Sequence, residues 1–196
     1  MLAYRVIARL DIKGPNLIKG IQFEGLRVLG NPGQFAKKYA DDGADELLYI
    51  DTVASLYGRN QLESLIEETS KEVFIPITVC GGINSEMAIR RILRYGADKV
   101  ASNTQSIRER DFIRRAANGA GTQAIVVSIE AKRVNGGWEA YTDCGRIPSG
   151  KDAVKWTCRW CIPEASGCRT CARSQNTRTA WLSARACTTG TARYNR

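Results

Sequence analysis

The sequence predicts an α/β protein in which parallel strands alternate with helices. Short apolar runs alternate with amphipathic stretches over residues 1–130, and this alternation is typical of βαβ units. The tripeptide Gly-Ala-Asp occurs at 43–45 and again 53 residues later at 96–98, each time just before a predicted strand. That distance corresponds to two βα units and indicates a fold built from repeated pairs, although Gly-Ala-Asp is also a common helix exit. A barrel and an open doubly wound sheet both satisfy this pattern.

Each predicted element rests on a local pattern. Five apolar runs predict strands at 4–10, 46–50, 76–79, 99–102 and 123–129. Apolar residues that recur every three to four positions predict the intervening helices, at 33–39, 61–73, 84–95 and 108–117. We expect Asn84 to cap the third helix and Gly96 to end it. No G-x-G-x-x-G follows the first strand, which argues against a dinucleotide-binding site.

Composition excludes several classes of protein. The 196 residues are 43% hydrophobic and 25% charged, as in one soluble domain, and no apolar run approaches the ~18 residues of a membrane span. Arg5, Arg9 and Asp11 interrupt the first apolar stretch, so it does not resemble a secretory signal and we expect a cytoplasmic protein. The chain contains no histidine, which excludes Ser-His, Cys-His and His-metal mechanisms.

The net charge of +9 is concentrated in the last forty residues. Residues 157–196 contain seven arginines, a single acid and five of the seven cysteines, whereas bases and acids nearly balance in residues 1–156. We therefore predict a domain over 1–156 and a tail of different character over 157–196. Because the positive charge belongs to the tail, a nucleic-acid partner is not expected for the domain.

Three carboxylates follow predicted strands in equivalent positions. Asp11, Asp51 and Glu130 stand at strand ends, where parallel α/β folds bind their ligands. Three such groups in phase favour acid–base chemistry, although a strand-end Asp also commonly caps the next segment. Gly81-Gly82 and Asn103-Thr104 offer backbone and hydroxyl donors at predicted helix starts, which suit a phosphate group.

Charges also mark the opposite ends of the strands. Arg5, Glu46 and Lys99 lie near the starts of the first, second and fourth strands. Such residues form either a solvated rim or, since their signs are mixed and their heights match, a closed ring of ion pairs.

Six segments together resemble a known family. RVIARLDIKG, LIKGIQFEGLR, DELLYIDTVAS, PITVCGGI, GADKVASNT and QAIVVSIEAKR, in this order and spacing, are similar to the cyclase subunit of imidazole glycerol phosphate synthase over roughly residues 1–150. The resemblance implies a (βα)8 barrel made of two similar half-barrels, of which this chain carries the first half and a fifth strand, and it implies no cofactor. It also implies a glutaminase partner that delivers ammonia at the lower face of the barrel. The substrate would be a phosphoribulosyl-formimino aminoimidazole carboxamide ribonucleotide, which the family converts to imidazole glycerol phosphate and aminoimidazole carboxamide ribonucleotide in histidine biosynthesis.

The resemblance also assigns roles to individual residues. It implies that Asp11 and Glu130 are the catalytic pair, with Glu130 in place of the family's aspartate. It implies substrate contacts for Lys19, in the loop after the first strand, and for Asp51. It implies that Gly82, Asn103 and Thr104 form one of two phosphate sites. It implies an ammonia gate made of Arg5, Glu46 and Lys99. The second phosphate site belongs to the other half-barrel.

Three departures from the family pattern keep other functions open. Arg9 replaces the usual cysteine, Cys80 replaces the first of three glycines, and Glu130 replaces aspartate. These features resemble paralogues that are linked to bacterial surface-sugar synthesis and paired with their own glutaminase-like subunit. A synthase of that kind and a non-catalytic half-barrel are therefore the alternatives to a histidine-pathway cyclase.

The tail departs from the family altogether. Its two Cys-x2-Cys pairs, Cys158/Cys161 and Cys168/Cys171, are candidates for a four-thiolate zinc site, but the spacer between the pairs is shorter than in established zinc motifs. A basic nucleic-acid segment is a second interpretation. Few aliphatic residues occur there, which predicts little packed structure and suits a coding frame lost partway.

Overall fold

The computed structural model describes residues 5–21, 24–54, 62–158 and 179–185. Its strands, in chain order, are β1 (Ile7–Lys13), β2 (Asn16–Ile21), β3 (Glu24–Gly30), β4 (Glu46–Asp51), β5 (Ile77–Cys80), β6 (Lys99–Ser102), β7 (Ile125–Val134), β8 (Gly137–Thr142), β9 (Ile147–Asp152) and β10 (Thr179–Arg185). Strands β1, β4, β5, β6 and β7 are adjacent in this order and all parallel. These five are the five predicted strands, and the prediction of a parallel α/β sheet is confirmed.

The helices connect the parallel strands. They are α1 (Pro32–Asp41), α2 (Glu63–Glu72), α3 (Glu86–Arg94), α4 (Thr104–Arg108), α5 (Arg110–Ala120) and α6 (Ala153–Cys158), with a short 3₁₀ turn at Thr122–Ala124. None of these described helices is long and apolar enough to cross a membrane.

Two helix predictions were wrong in detail. Ser85, not Asn84, caps α3, because its hydroxyl lies one residue before the helix and accepts the amide N–H of Ala88 at 3.2 Å. The helix predicted at 108–117 corresponds to α5, which begins only at Arg110, because Glu109 adopts an extended conformation (φ −127°, ψ 103°) that separates it from the unpredicted helix α4.

The helices that the structure describes pack against one face of the parallel strands. Leu10, Tyr49 and Val79 point to the helices and belong to the main hydrophobic core. The alternate residues Ile50, Cys80 and Ala101 form a separate, smaller apolar cluster on the other face, with Leu48 and Val126 packed against it. A doubly wound sheet has helices on both faces, so the arrangement is that of a partial (βα) barrel and the open-sheet alternative is wrong. We call the helix-free side the inner face.

The antiparallel hairpins that follow β1 and β7 were not predicted. β2 and β3 follow β1 as antiparallel strands, and β8 and β9 follow β7 in the same way. A two-residue turn, Asn135-Gly136, joins β7 to β8 with positive φ at both residues (49° and 78°). Asn-Gly between extended runs is a strong hairpin signal, so this hairpin was detectable in the sequence.

The hairpins correct two site predictions. Lys19 lies in β2 rather than in a loop, and its side chain is exposed. Glu130 is not at a strand end, because β7 continues past its parallel pairing with β6, which reaches Val127, and pairs with β8 from Glu130 to Val134.

One segment of the tail is described as a strand. β10 runs antiparallel to β7 and pairs with it from Val126 to Lys132. Because residues 130–132 of β7 pair with β8 as well, β10 lies on the opposite edge, the one that faces away from β6. This pairing differs from the expectation of little packed structure. Three of the zinc candidates, Cys161, Cys168 and Cys171, lie outside the described residues, and Cys158 ends α6. Within the described residues no group of three or more His, Cys, Asp or Glu side chains is placed to hold a metal ion.

Candidate functional site

A cavity of about 240 Å³ opens where the parallel strands β4, β5 and β6 end. Five of the predicted site residues line it: Asp51, Gly82, Asn103, Thr104 and Glu130. The turn after β8, which contains Asp143 and Cys144, lines the cavity from above. Asp11 and Lys19 are not part of its lining. The strand-end argument therefore brought together most, but not all, of the candidate residues.

Glu130 has the most unusual environment in the cavity. Burial raises the pKa of its carboxyl to about 7, against the opposing effects of the Arg9 charge, the Gly145 amide and the Lys132 charge. Its Oε2 atom is buried and accepts no hydrogen bond of good geometry. A carboxyl group with a pKa near neutrality is suited to exchange protons at physiological pH.

Asp11 faces the same side of the sheet as Glu130. It shares the inner face of β1 with Arg9, whose Nε donates to its Oδ1 at 2.7 Å. Both Asp11 and Arg9 act electrostatically on Glu130. The two carboxylates predicted as a pair therefore come from β1 and β7 and are electrostatically coupled.

Asp51 caps the segment after its strand, which is the alternative role considered for a strand-end aspartate. Its Oδ1 accepts the backbone N–H groups of Val53 and Ala54 at 3.1 and 2.9 Å, so it caps the segment that follows β4. The side chain is almost fully buried. Asp51 thus shapes the wall of the cavity, and contact with a substrate stays a prediction.

The glycines after β5 allow two chain segments to approach closely. Gly81 has a φ of +113°, and a Cβ there would lie 2.5 Å from the carbonyl oxygen of Asp51. Gly82 also has a positive φ, +63°. The prediction that these glycines stand at a helix start was wrong, because α3 begins only at Glu86.

The predicted phosphate donors are partly occupied by the β8 turn. The Asn103 amide donates to the carbonyl of Tyr141 at 3.2 Å, and the Thr104 hydroxyl accepts the N–H of Asp143 at 3.0 Å. Asp143 also forms an ion pair with Arg108 at 2.7 Å. These contacts hold the β8 turn over the first residues of α4.

Three buried oxygen atoms at the cavity wall have no hydrogen-bond partner: Ser102 Oγ, Asn103 Oδ1 and Glu130 Oε2. Buried polar groups in proteins are almost always paired with protein, water or ligand. All three belong to residues that line one cavity, which supports a site for a polar ligand there. Ser102 was not singled out in the sequence, although a serine at the end of an apolar run was a usable signal.

The charges at the opposite strand ends form a cluster around Glu46, which we call the lower charge cluster and define as Arg5, Glu46, Thr78 and Lys99. Glu46 Oε2 accepts from Lys99 at 2.7 Å and Arg5 at 3.3 Å, and its Oε1 accepts from Thr78 at 2.6 Å. Burial raises the pKa of Glu46, but these donors outweigh it, so its pKa lies below the usual value. These contacts join the residues in one ion-paired cluster centred on Glu46, in which Arg5 is about half exposed, and a closed ring stays a prediction. Thr78 was missed, although it is the one polar residue in its apolar run.

Comparison with known proteins assigns the chain to a family. The family described as "Histidine biosynthesis protein" matches residues 5–163. Over 153 residues the chain is 58% identical to "Imidazole glycerol phosphate synthase subunit HisF" of Legionella pneumophila, covering 78% of this chain and 72% of that protein. Over 156 residues it is 44% identical to the HisF subunit of Dehalococcoides mccartyi, covering 80% of this chain and 62% of that protein. These similarities support the histidine-pathway interpretation over the surface-sugar alternative, and the chain belongs to the histidine biosynthesis protein family.

Proposed function

We propose that this chain carries the ammonia-using cyclase site of imidazole glycerol phosphate synthase, with Asp11 and Glu130 as its acid–base pair. The observation that carries the proposal is the electrostatic coupling of Asp11 to Glu130, which lines the cavity and has a pKa of about 7. Ring closure with ammonia requires proton transfers to and from nitrogen and carbon atoms. Two carboxyl groups in different environments are able to divide these transfers between them.

The two environments suggest which carboxyl group does what. Glu130 is partly buried, and its pKa of about 7 makes it a proton donor and acceptor at neutral pH. Asp11 is about 29% exposed and paired with Arg9, so it is partly accessible and electrostatically supported. Asp11 thus serves as the carboxylate that meets the substrate first, and Glu130 completes the transfer.

The substrate's phosphate is proposed to bind beside Gly82, Asn103 and Thr104. The support is the cavity that these residues line, together with the unpaired polar atoms in its wall. Arg108 also lines the cavity and supplies a positive charge, shared with Asp143. Asp51 and Lys19 are proposed as further substrate contacts, Lys19 from the exposed face of the β2–β3 hairpin.

Ammonia is proposed to enter through the lower charge cluster, delivered by a glutaminase subunit docked at the N-terminal ends of the strands. Support comes from the inner face itself, since the apolar residues Ile50, Cys80 and Ala101 are level with Asp11 in the strand register, two residues along the strands from Thr78 and Lys99 of the lower charge cluster. An apolar passage favours neutral ammonia over ammonium, because burying an unpaired charge is costly. Arg5 is half exposed and stands at the entrance.

The test uses a chimera, because the match spans 72% of the Legionella subunit. Residues 1–156 of this chain are joined to the part of that subunit that lies beyond the matched segment. With saturating ammonia and no glutaminase, we expect turnover of the ribonucleotide substrate that falls about 10²–10⁴-fold in Asp11→Asn and Glu130→Gln.

Asp111→Asn is the matched control, since Asp111 is an exposed carboxylate on α5 that pairs with an arginine outside the site. It should leave turnover unchanged. A folded chimera without turnover, or one whose Asp11→Asn variant is fully active, would refute the proposal.

A further inference from the structure

Arg9 occupies a position in the site to which no role has yet been given. It lies two residues before Asp11 on the inner face of β1 and donates its Nε hydrogen to Asp11 Oδ1 at 2.7 Å. Only 29% of each side chain is exposed. The pair is therefore partly withdrawn from water, and a charge-assisted hydrogen bond is stronger in such an environment than in water.

Several charged or titratable groups face Glu130 from the elements around it. Arg9 and Asp11 approach from β1, Lys132 comes from its own strand, and the Gly145 amide comes from the turn after β8. Cys80 of β5 also interacts with Glu130, with Arg9 and with Cys144 of that turn. Among the neighbours that favour the charged carboxylate, Arg9 has the largest effect. Its guanidinium thus acts on both carboxylates of the candidate site.

Two departures from the family pattern therefore meet in one place. The sequence contains arginine where cysteine is usual and glutamate where aspartate is usual, at Arg9 and Glu130, and the structure couples these two positions. The longer side chain of Glu130 and the permanent positive charge of Arg9 are consistent with a joint replacement of the family's aspartate and cysteine. Two coupled carboxylates without a neighbouring cation would resist being ionised together.

We propose that Arg9 is a positioning residue that links the two carboxylates of the site, holding Asp11 by a hydrogen bond and balancing the charge of Glu130. Its importance for catalysis rests on the proposed function, whereas its effect on the carboxylates does not. Arginine is suited to this role because it stays protonated and its planar donors keep a fixed direction.

The experiment measures the ionisation of Glu130 in the full 196-residue chain. Carboxyl carbons of labelled glutamate are followed by NMR across pH, with Glu130→Gln to assign the signal. We expect a midpoint near pH 7 that rises by about one to two units in Arg9→Met, as the loss of a neighbouring opposite charge does.

Two further variants separate charge from shape. Arg9→Lys keeps the charge and should restore the midpoint to within about 0.5 unit, because the Coulomb interaction survives while the fork geometry is lost. Arg114→Met is the matched control, since Arg114 pairs with Asp111 on the exposed face of α5, and it should not move the midpoint. An unchanged midpoint in folded Arg9→Met would overturn the inference.

Misfolding of Arg9→Met is also informative. If the cause is the uncompensated carboxylate, the double variant Arg9→Met/Glu130→Gln should fold, which supports the inference. If the double variant also fails to fold, Arg9 acts through packing and the inference is wrong. The titration involves no turnover, so an inactive chimera would refute the proposed function and leave this result standing.

Discussion

Two glutamates on the inner face of the same sheet have opposite properties. Glu46, at the N-terminal ends of the strands, accepts hydrogen bonds from Lys99, Arg5 and Thr78, and its pKa lies below the usual value. Glu130, at the other end, has an unpaired oxygen and a pKa of about 7. Glu46 is buried and Glu130 is partly buried, so exposure alone does not explain the contrast. Hydrogen bonds from Lys99, Thr78 and Arg5 outweigh desolvation at Glu46, whereas desolvation prevails at Glu130. This balance decides whether each carboxylate is a fixed charge or a group that exchanges protons.

This contrast assigns different tasks to the N-terminal and C-terminal ends of the parallel strands. A fully paired Glu46 stabilises the sheet and keeps Lys99 oriented, while an under-paired Glu130 costs stability and gains reactivity. Sites of function commonly show such a cost. The predictions below test the contrast, beginning with the largest expected effect.

The largest effect concerns turnover by the 196-residue chain itself. We expect its ammonia-dependent activity to be at least ~10³-fold below that of the Legionella HisF subunit, because the described residues supply only the proposed phosphate site around Gly82, Asn103 and Thr104, and misalignment of a substrate has costs of this size. Initial rates with saturating ammonia and no glutaminase measure this. Comparable rates would show that one phosphate site suffices.

The next effect concerns the stability of the lower charge cluster. Glu46→Gln removes the charge that faces Lys99, which is only 16% exposed, so we expect the free energy of unfolding to fall by about 3 kcal/mol. Urea denaturation monitored by circular dichroism gives the value. The control is Glu72→Gln, whose partner Lys37 is well exposed, and it should cost less than about 0.5 kcal/mol. Equal losses in the two variants would mean that the cluster contributes no more than a surface pair.

The third effect is a gain in the free energy of unfolding, and its size depends on pH. The folded-state pKa of Glu130 is raised from 4.5 to about 7, so the folded state binds more protons between these values and stability falls as the pH rises from about 4.5 to about 7. Glu130→Gln removes this loss. We expect the variant to be more stable than the parent chain by roughly 2 kcal/mol at pH 8 and much closer to it at pH 4.5. Denaturation at the two pH values tests this, and a variant that is less stable at pH 8 would contradict it.

Much of the fold was predictable because it depends on local apolar runs. The five parallel strands are short segments of the form PITV and KVAS, and the positions of Glu46 and Lys99 at strand starts followed directly from them. The hairpin from β7 to β8 was missed although Asn135-Gly136 marked it. β7 pairs in parallel with β6 and antiparallel with β8. Its apolar run indicates only the parallel part.

The candidate site was less predictable than the sheet. That Arg9 and Asp11 share a face follows from the two-residue period of a strand. The pKa of Glu130 does not follow from sequence, because it depends on the turn at residues 143–146 that covers the cavity. Likewise, the capping role of Asp51 depends on where the chain turns after β4. Sequence located the carboxylates, and tertiary packing decided what each one does.

The most direct test of the account is the pH dependence of kcat/KM for the chimera of residues 1–156 with the remaining part of the Legionella subunit. If Asp11 and Glu130 act as a coupled pair, the profile should contain a group that titrates near pH 7, and Arg9→Met should move that limb upward by about one unit. A profile that is flat between pH 6 and 8, or a limb that Arg9→Met leaves in place, would contradict the account.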